Sequence, residues 1–359
     1  MMVHLNFREE PMYGSATSVG HAVVFGAIVL ALSAVSPAFG QDNASSSPSR
    51  PFGAWDLTGT WDFSTITPLE RPVELGDTAV LTDEQVAQLE REAAEDPGLD
   101  RQERPGSVGG YNQFWADQGS RVVAGNQSSV IIDPPNGRLP AFQPGVRLSV
   151  GPERVTDETV SVESPVLLRS TGLEIPAGPE DRGLAERCLL GFNTGPPMLS
   201  SLYNNHIQIF QNDDFVVIIN EMVHDLRIVP LDGRPRLPEQ IHQWMGSSRG
   251  HWEGDVLVID TTHFSTKTAS FNTGASQGVG SGETLHLIER FARRDDNTLS
   301  YEFTVDDPTI FTAPFTGVMS MTKMDEPMFE YACHEGNYGL QNILRGAREA
   351  EARAGEAQQ

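Results

Sequence analysis

Five of the seven histidines beyond residue 40 fall between His206 and His263, with Glu221, Asp225, Arg227, Arg249 and Asp260 among them. They are threaded through apolar runs, Phe215–Ile219 and Val256–Ile259, that belong in a core. Charged and titratable side chains are seldom buried unless paired or used. A polar pocket inside β-structure is therefore expected. There a histidine would move a proton, a carboxylate would orient it and an arginine would hold an oxyanion. His224 and His263 are the candidate acid and base, and Glu221 and Asp225 the orienting carboxylates. Arg249 is the candidate anion contact. Tyr203, Asn205, His206, Trp244, Trp252, Phe264, Tyr331 and His334 are expected to line the pocket.

Period-two alternation puts Glu221 on one face with Val217, Ile219 and Val223. It sends His263 inward with Leu257 and Ile259. Both candidate histidines are thus expected at one cavity. A transition metal is the sharp alternative, with His206, His224, His263 and His334 converging from separate strands. No H-x-H, H-E-x-x-H or C-x-x-C spacing is present, so neither a metal nor another cofactor is expected. No G-x-S-x-G elbow supports a nucleophilic serine. Gly278–Gly282 reads as a loop without the flanks of a phosphate cradle.

The elements that must position these groups read as all-β and mainly antiparallel. Strands are expected at 57–63, 121–123, 129–132, 206–211, 215–223, 225–229, 250–252, 256–264, 284–293, 298–305, 316–324 and 327–334. Asn212-Asp213-Asp214, Glu253-Gly254-Asp255 and Arg294-Asp295-Asp296-Asn297 supply turns. One helix starts at a capping box, Thr82 with Gln85, carries an apolar stripe of Val86, Leu89 and Ala93, and stops at Asp96-Pro97-Gly98. Residues 97–110 read as a loop, 146–185 as an irregular excursion, 337–354 as a short terminal helix and 346–359 as a tail. Sequential hairpins close well as a calycin- or lipocalin-like up-and-down barrel, one domain over 55–345. A two-sheet sandwich is the alternative.

The N-terminus reads as an export signal over residues 1–40. His21–Leu32 is apolar but shorter than the ~20 residues that span a bilayer, and Ala38-Phe39-Gly40 gives small residues before Gln41. Met12 is a candidate true start. Residues 41–54 read as a disordered lead-in. A periplasmic or secreted location follows, with no membrane span after cleavage. There Cys188 and Cys333 are expected to bond, the alternative being two separate buried thiols. A net charge of -24 argues against nucleic acid and anionic membranes as partners.

Asp232-Gly233-Arg234-Pro235, followed by Trp244-Met245-Gly246-Ser247-Ser248-Arg249-Gly250-His251-Trp252-Glu253-Gly254-Asp255-Val256-Leu257-Val258, resembles a widespread, largely uncharacterised family of exported bacterial proteins. Its members read D-G-R-P…W-x-G-x-S-x-G-x-W-E-G-D-x-L-V. Glu289–Phe291, Thr304–Pro308 and Tyr331–Tyr338 resemble further blocks, and the likeness covers most of 185–345. It implies an exported, soluble, β-rich protein and assigns no catalytic residue.

The expected function is metal-independent acid–base chemistry of lyase or isomerase type on a small organic molecule. The first alternative is a non-catalytic carrier of a hydrophobic or aromatic ligand. A metal-dependent hydrolase or lyase and a structural envelope protein are the others.

Overall fold

Hydrophobic alternation builds most of the molecule. In the computed structural model, β1 (Gly59–Asp62) is followed by α1 (Asp83–Glu95), β2 (Ile131–Asp133), β3 (Leu148–Val150), β4 (His206–Gln211), β5 (Phe215–Asn220) and β6 (Leu226–Pro230). Then come β7 (Ser247–Glu253), β8 (Val256–Thr262), β9 (Phe271–Gly274), β10 (Gln277–Val279), β11 (His286–Asp295), β12 (Thr298–Asp306), β13 (Phe315–Met324) and α2 (Tyr338–Ala357). The structure describes residues 56–95, 119–146, 148–150, 176–195, 197–274 and 277–357. The expected signal, lead-in, helix stop and 97–110 loop, and most of the excursion, lie outside these residues.

Nine strands lie on one hydrogen-bonded path, β6-β5-β4-β1-β13-β12-β11-β8-β7, and β2 pairs with β13 beside it. Every ladder is antiparallel. Each step therefore reverses direction, and the odd count leaves β6 and β7, the two edges, pointing the same way. Same-direction neighbours need a long crossover, and residues 231–246 supply one. The edges approach within 8 Å between Cα atoms, yet no ladder joins them among the described residues. The sheet is therefore seen open at this seam. β3, β10 and β9 form a separate small sheet.

Alternate residues of β4, β5, β8, β11, β12 and β13 enter one core that includes Trp61, Ile207, Ile218, Leu257, Phe291, Phe303 and Met321. Each such side chain stabilises the fold by roughly 1.5–3 kcal/mol when fully buried. Gly250 permits close edge packing: a Cβ there would lie 2.6 Å from Leu231 and 2.8 Å from Val229. The capping box forms as read, with Thr82 N donating to Gln85 Oε1 (2.9 Å) and Gln85 N to Thr82 Oγ1 (3.3 Å). Leu89 and Ala93 of that helix line an outer groove against Pro68 and Val122.

Several expectations are corrected. Residues 327–334 are not a strand, for β13 already has β12 on one side and β1 and β2 on the other. Residues 121–123 are irregular, while β9, β10 and β3, the last within the excursion expected to be irregular, were not anticipated. The terminal helix runs through most of the expected tail. Cys188 and Cys333 are bonded across a separation of 145 residues, with Cα atoms 5.8 Å apart. Closing a loop that long stabilises by about 5 kcal/mol in the chain-entropy model. No helix among the described residues is long and apolar enough to cross a membrane.

Candidate functional site

β5 and β8 run toward the same end of the sheet, and β4, β6 and β7 start there. The chemistry-bearing residues gather at this end, but in separate places. Two backbone reversals explain the separation. β5 stops at Asn220, and Val223 and His224 take left-handed φ values of 59° and 48°. Glu221 therefore leaves the face of Val217 and Ile219 and is buried in a turn. His263 has φ 61°, so the alternation of β8 fails there and Phe264 enters the core instead.

The first place is a polar hub. Glu221 accepts from Asn204 Nδ2 (2.5 Å) and contacts His206 Nδ1 (2.7 Å). Asp225 Oδ2 accepts from Gly191 N and Thr194 Oγ1, both at 2.7 Å. Asn193 Nδ2 donates to the carbonyls of Tyr203 (3.2 Å) and Asn204 (2.9 Å), and Asn205 is tied to Ser201 by two bonds of 2.8 Å. These bonds fasten the loop 191–205 onto the turn 221–225. The hub thus uses Glu221, Asp225, Asn205, His206 and the Tyr203 backbone to hold a loop.

The second place is outside, beside the disulfide. His224 is exposed, its Nδ1 lies 3.2 Å from the Tyr331 carbonyl, and its ring is 6.2 Å from that of His334. The third lies beyond β8. His263 Nδ1 bonds Thr262 Oγ1 at 2.7 Å, and its ring is 6.2 Å from His242. The two candidate histidines share no partner in these contacts, and neither lines the seam cleft. The contacts thus give the two rings different neighbours. His224 and His334 of the metal alternative lie near each other, but the described residues hold no group of three metal-ligating side chains. Trp252 packs against the core.

The fourth place is the seam itself. A cleft of about 620 Å³ lies between β6, the crossover and β7, and Asp225, Trp244 and Arg249 line it. Its walls also carry Leu226, Ile228 and Leu237. Arg227 and Ser248 reach it from the inward faces of the two edges. Val229 and Gly250 face each other, and one alternation back along same-direction strands sets Arg227 beside Ser248. Ser248 Oγ bonds Thr261 Oγ1 at 2.9 Å.

The two edge arginines differ sharply. Arg227 is buried and gives Nη1 and Nη2 to Glu289 at 2.5 and 3.0 Å, while its Nε has no partner. Burial pulls its proton affinity down, but Glu289 more than offsets this and the net shift is upward. Glu289 also accepts from Tyr301 Oη (2.7 Å), which accepts from Met198 N (3.1 Å). Burial, then Glu289, pushes that phenol well above its ordinary range. Arg249 is half-exposed and donates to the carbonyls of Ser248 (2.6 Å), Pro235 (2.6 Å) and Arg234 (3.2 Å) and weakly to Ser247 Oγ (3.5 Å). No carboxylate pairs with it among the described residues. Burial, then the neighbouring Arg236 and Arg234, lowers its proton affinity.

The Arg227–Glu289–Tyr301 group was missed from sequence. Its signal was present: Glu289 stands between Leu287 and Phe291, and Tyr301 between Leu299 and Phe303, all inward positions. Comparison of the chain with protein-family models, curated proteins and solved structures found no match.

Proposed function

We propose that this is an exported binding protein for a small organic anion with an apolar body, held in the seam cleft of an almost closed barrel. The observation that carries this reading is Arg249. It is a cation in a concave, partly apolar site, held by carbonyls and crowded by two other arginines; Asp232 acts on it only at a distance, and no carboxylate among the described residues supplies a paired countercharge. A ligand carboxylate would supply that charge bidentately, while Trp244, Leu226 and Leu237 would cover its hydrocarbon part. Export is supported by the apolar segment before Gln41 and by the disulfide, a bond of oxidising compartments.

A second reading keeps acid–base chemistry of lyase or isomerase type and moves it to the Glu221–His206 pair. A buried carboxylate 2.7 Å from an imidazole fixes that ring as a general base requires.

Calorimetry of the purified protein with phenylacetate and 2-phenylethanol separates carboxylate recognition from apolar recognition. The carboxylate should bind at least about tenfold tighter, a difference of about 1.4 kcal/mol, and Arg249→Met should erase the preference. Equal affinities, or a preference that survives in the variant, would overturn the anion reading. Product formation that disappears in His206→Gln would establish the catalytic one.

A further inference from the structure

A smaller cavity of about 100 Å³ shares no lining residue with the seam cleft. Its walls are Phe192, Leu199 and Ser200 of the loop 191–205, Val130, Met319 of β13 and Asn272 of β9, with no charged side chain among its lining. The loop wall is fastened from behind by the hub and by the Cys188–Cys333 bond.

Asn272 is only 5% exposed, and both its Oδ1 and its Nδ2 lack a partner. Buried amides are nearly always hydrogen-bonded, so an orphaned one facing a cavity needs a partner that the chain does not supply. The neighbouring hydroxyls of Ser200, Thr65 and Thr67 are each tied to the chain by at least one bond. Ser200 Oγ accepts from Thr65 N (3.1 Å), Thr65 Oγ1 donates to the Arg121 carbonyl (2.8 Å) and Thr67 Oγ1 accepts from Val123 N (2.9 Å). Among the lining side chains Asn272 is the one whose donor and acceptor are both left unmet.

Water alone leaves the apolar half of this wall unmatched. The volume corresponds to about three waters at ~30 Å³ each, and each buried water wants two to four polar partners. Phe192, Leu199, Val130, Met319 and Leu69 offer none. A charged occupant would be stranded against an uncharged wall. An occupant with one donor–acceptor edge and a short alkyl body satisfies both halves of the cavity.

We propose that this cavity is a second binding site, independent of the seam cleft, for a small neutral carboxamide. Asn272 pairs with the amide edge in both directions, Nδ2 donating to its carbonyl and Oδ1 accepting from its N–H. The loop side chains Phe192 and Leu199 close over the alkyl end.

The test uses thermal unfolding of the full chain with propionamide and with the near-isosteric anion propionate. At about ten times its dissociation constant, propionamide should raise Tm by roughly 2–4 °C, and propionate should not. Asn272→Leu should abolish the response. Leu199→Trp, which fills the cavity from its mouth and leaves Asn272 in place, should abolish it too and serves if the first variant does not fold. Equal responses to amide and anion would overturn the proposal. So would a propionamide response that survives either substitution, or none in the wild-type chain.

Discussion

The hub around Glu221 and Asp225 and the cleft around Arg249 sit at the same end of one sheet and look alike on paper: both are dense in charge. In the hub every carboxylate is met by a donor of the chain itself, and the outcome is a fastened loop. In the cleft a guanidinium is met only by carbonyls and a hydroxyl. Arg227, on the opposite edge, is the internal control: it is as charged as Arg249, but its countercharge is built in. A polar group whose partner is in the chain is architecture; one whose partner is missing marks a place for something else.

Removing the built-in partner should have the largest effect. Glu289→Ala strands a buried arginine, and denaturant unfolding should show a loss of about 3–5 kcal/mol. Unfolding within 1 kcal/mol of wild type would mean that Arg227 finds water, and would erase its contrast with Arg249. Glu221→Leu should cost less, about 1–3 kcal/mol, because Asn204 Nδ2 and His206 Nδ1 lose a buried acceptor. If it also removes a catalysed reaction while Glu289→Ala does not, the hub is more than a fastener.

Arg249→Gln should change stability by less than about 1 kcal/mol, since it breaks no ion pair, while weakening carboxylate binding about tenfold or more. The smallest effect is at Asp232. Hydrogen bonds from the Arg234 side chain and backbone bring its pKa from 3.8 to about 2. A depressed carboxylate pKa favours the fold above pH 4, and the contribution is lost as pH falls through about 2. Its place at the solvent-open surface keeps that contribution slight. An NMR titration of its carboxyl carbon should find the low midpoint, and a midpoint near 4 would mean that Arg234 is free to serve the cleft.

Much of the sheet was legible because β4, β11, β12 and β13 alternate, and β5 and β8 open as apolar runs, between acidic or Asn-containing turns. The small sheet was not, for Phe271-Asn272-Thr273-Gly274 has too short a pattern to stand out. Of the candidate site residues, Asp225, Trp244 and Arg249 line one cleft. The alternation used for the histidines breaks at three non-glycine residues with positive φ, Val223, His224 and His263. No side-chain type announces such a reversal, and alternation carried past it assigns the wrong face. Pro327–His334 had strand composition, but β13, which precedes it, already has a partner on each side.

β1 is four residues long, yet it is hydrogen-bonded to β4 on one side and to β13 on the other. Among the described residues it is the first strand made along the ribosome's direction of travel, and one of its two neighbours is the last. The chain must therefore be made through Met324 before its main sheet can be completed, and pairings this distant in sequence form slowly. A protein truncated before Phe315 should show no cooperative unfolding transition by circular dichroism. If the chain is exported as proposed, such delay has a use: a fold that cannot finish early stays threadable.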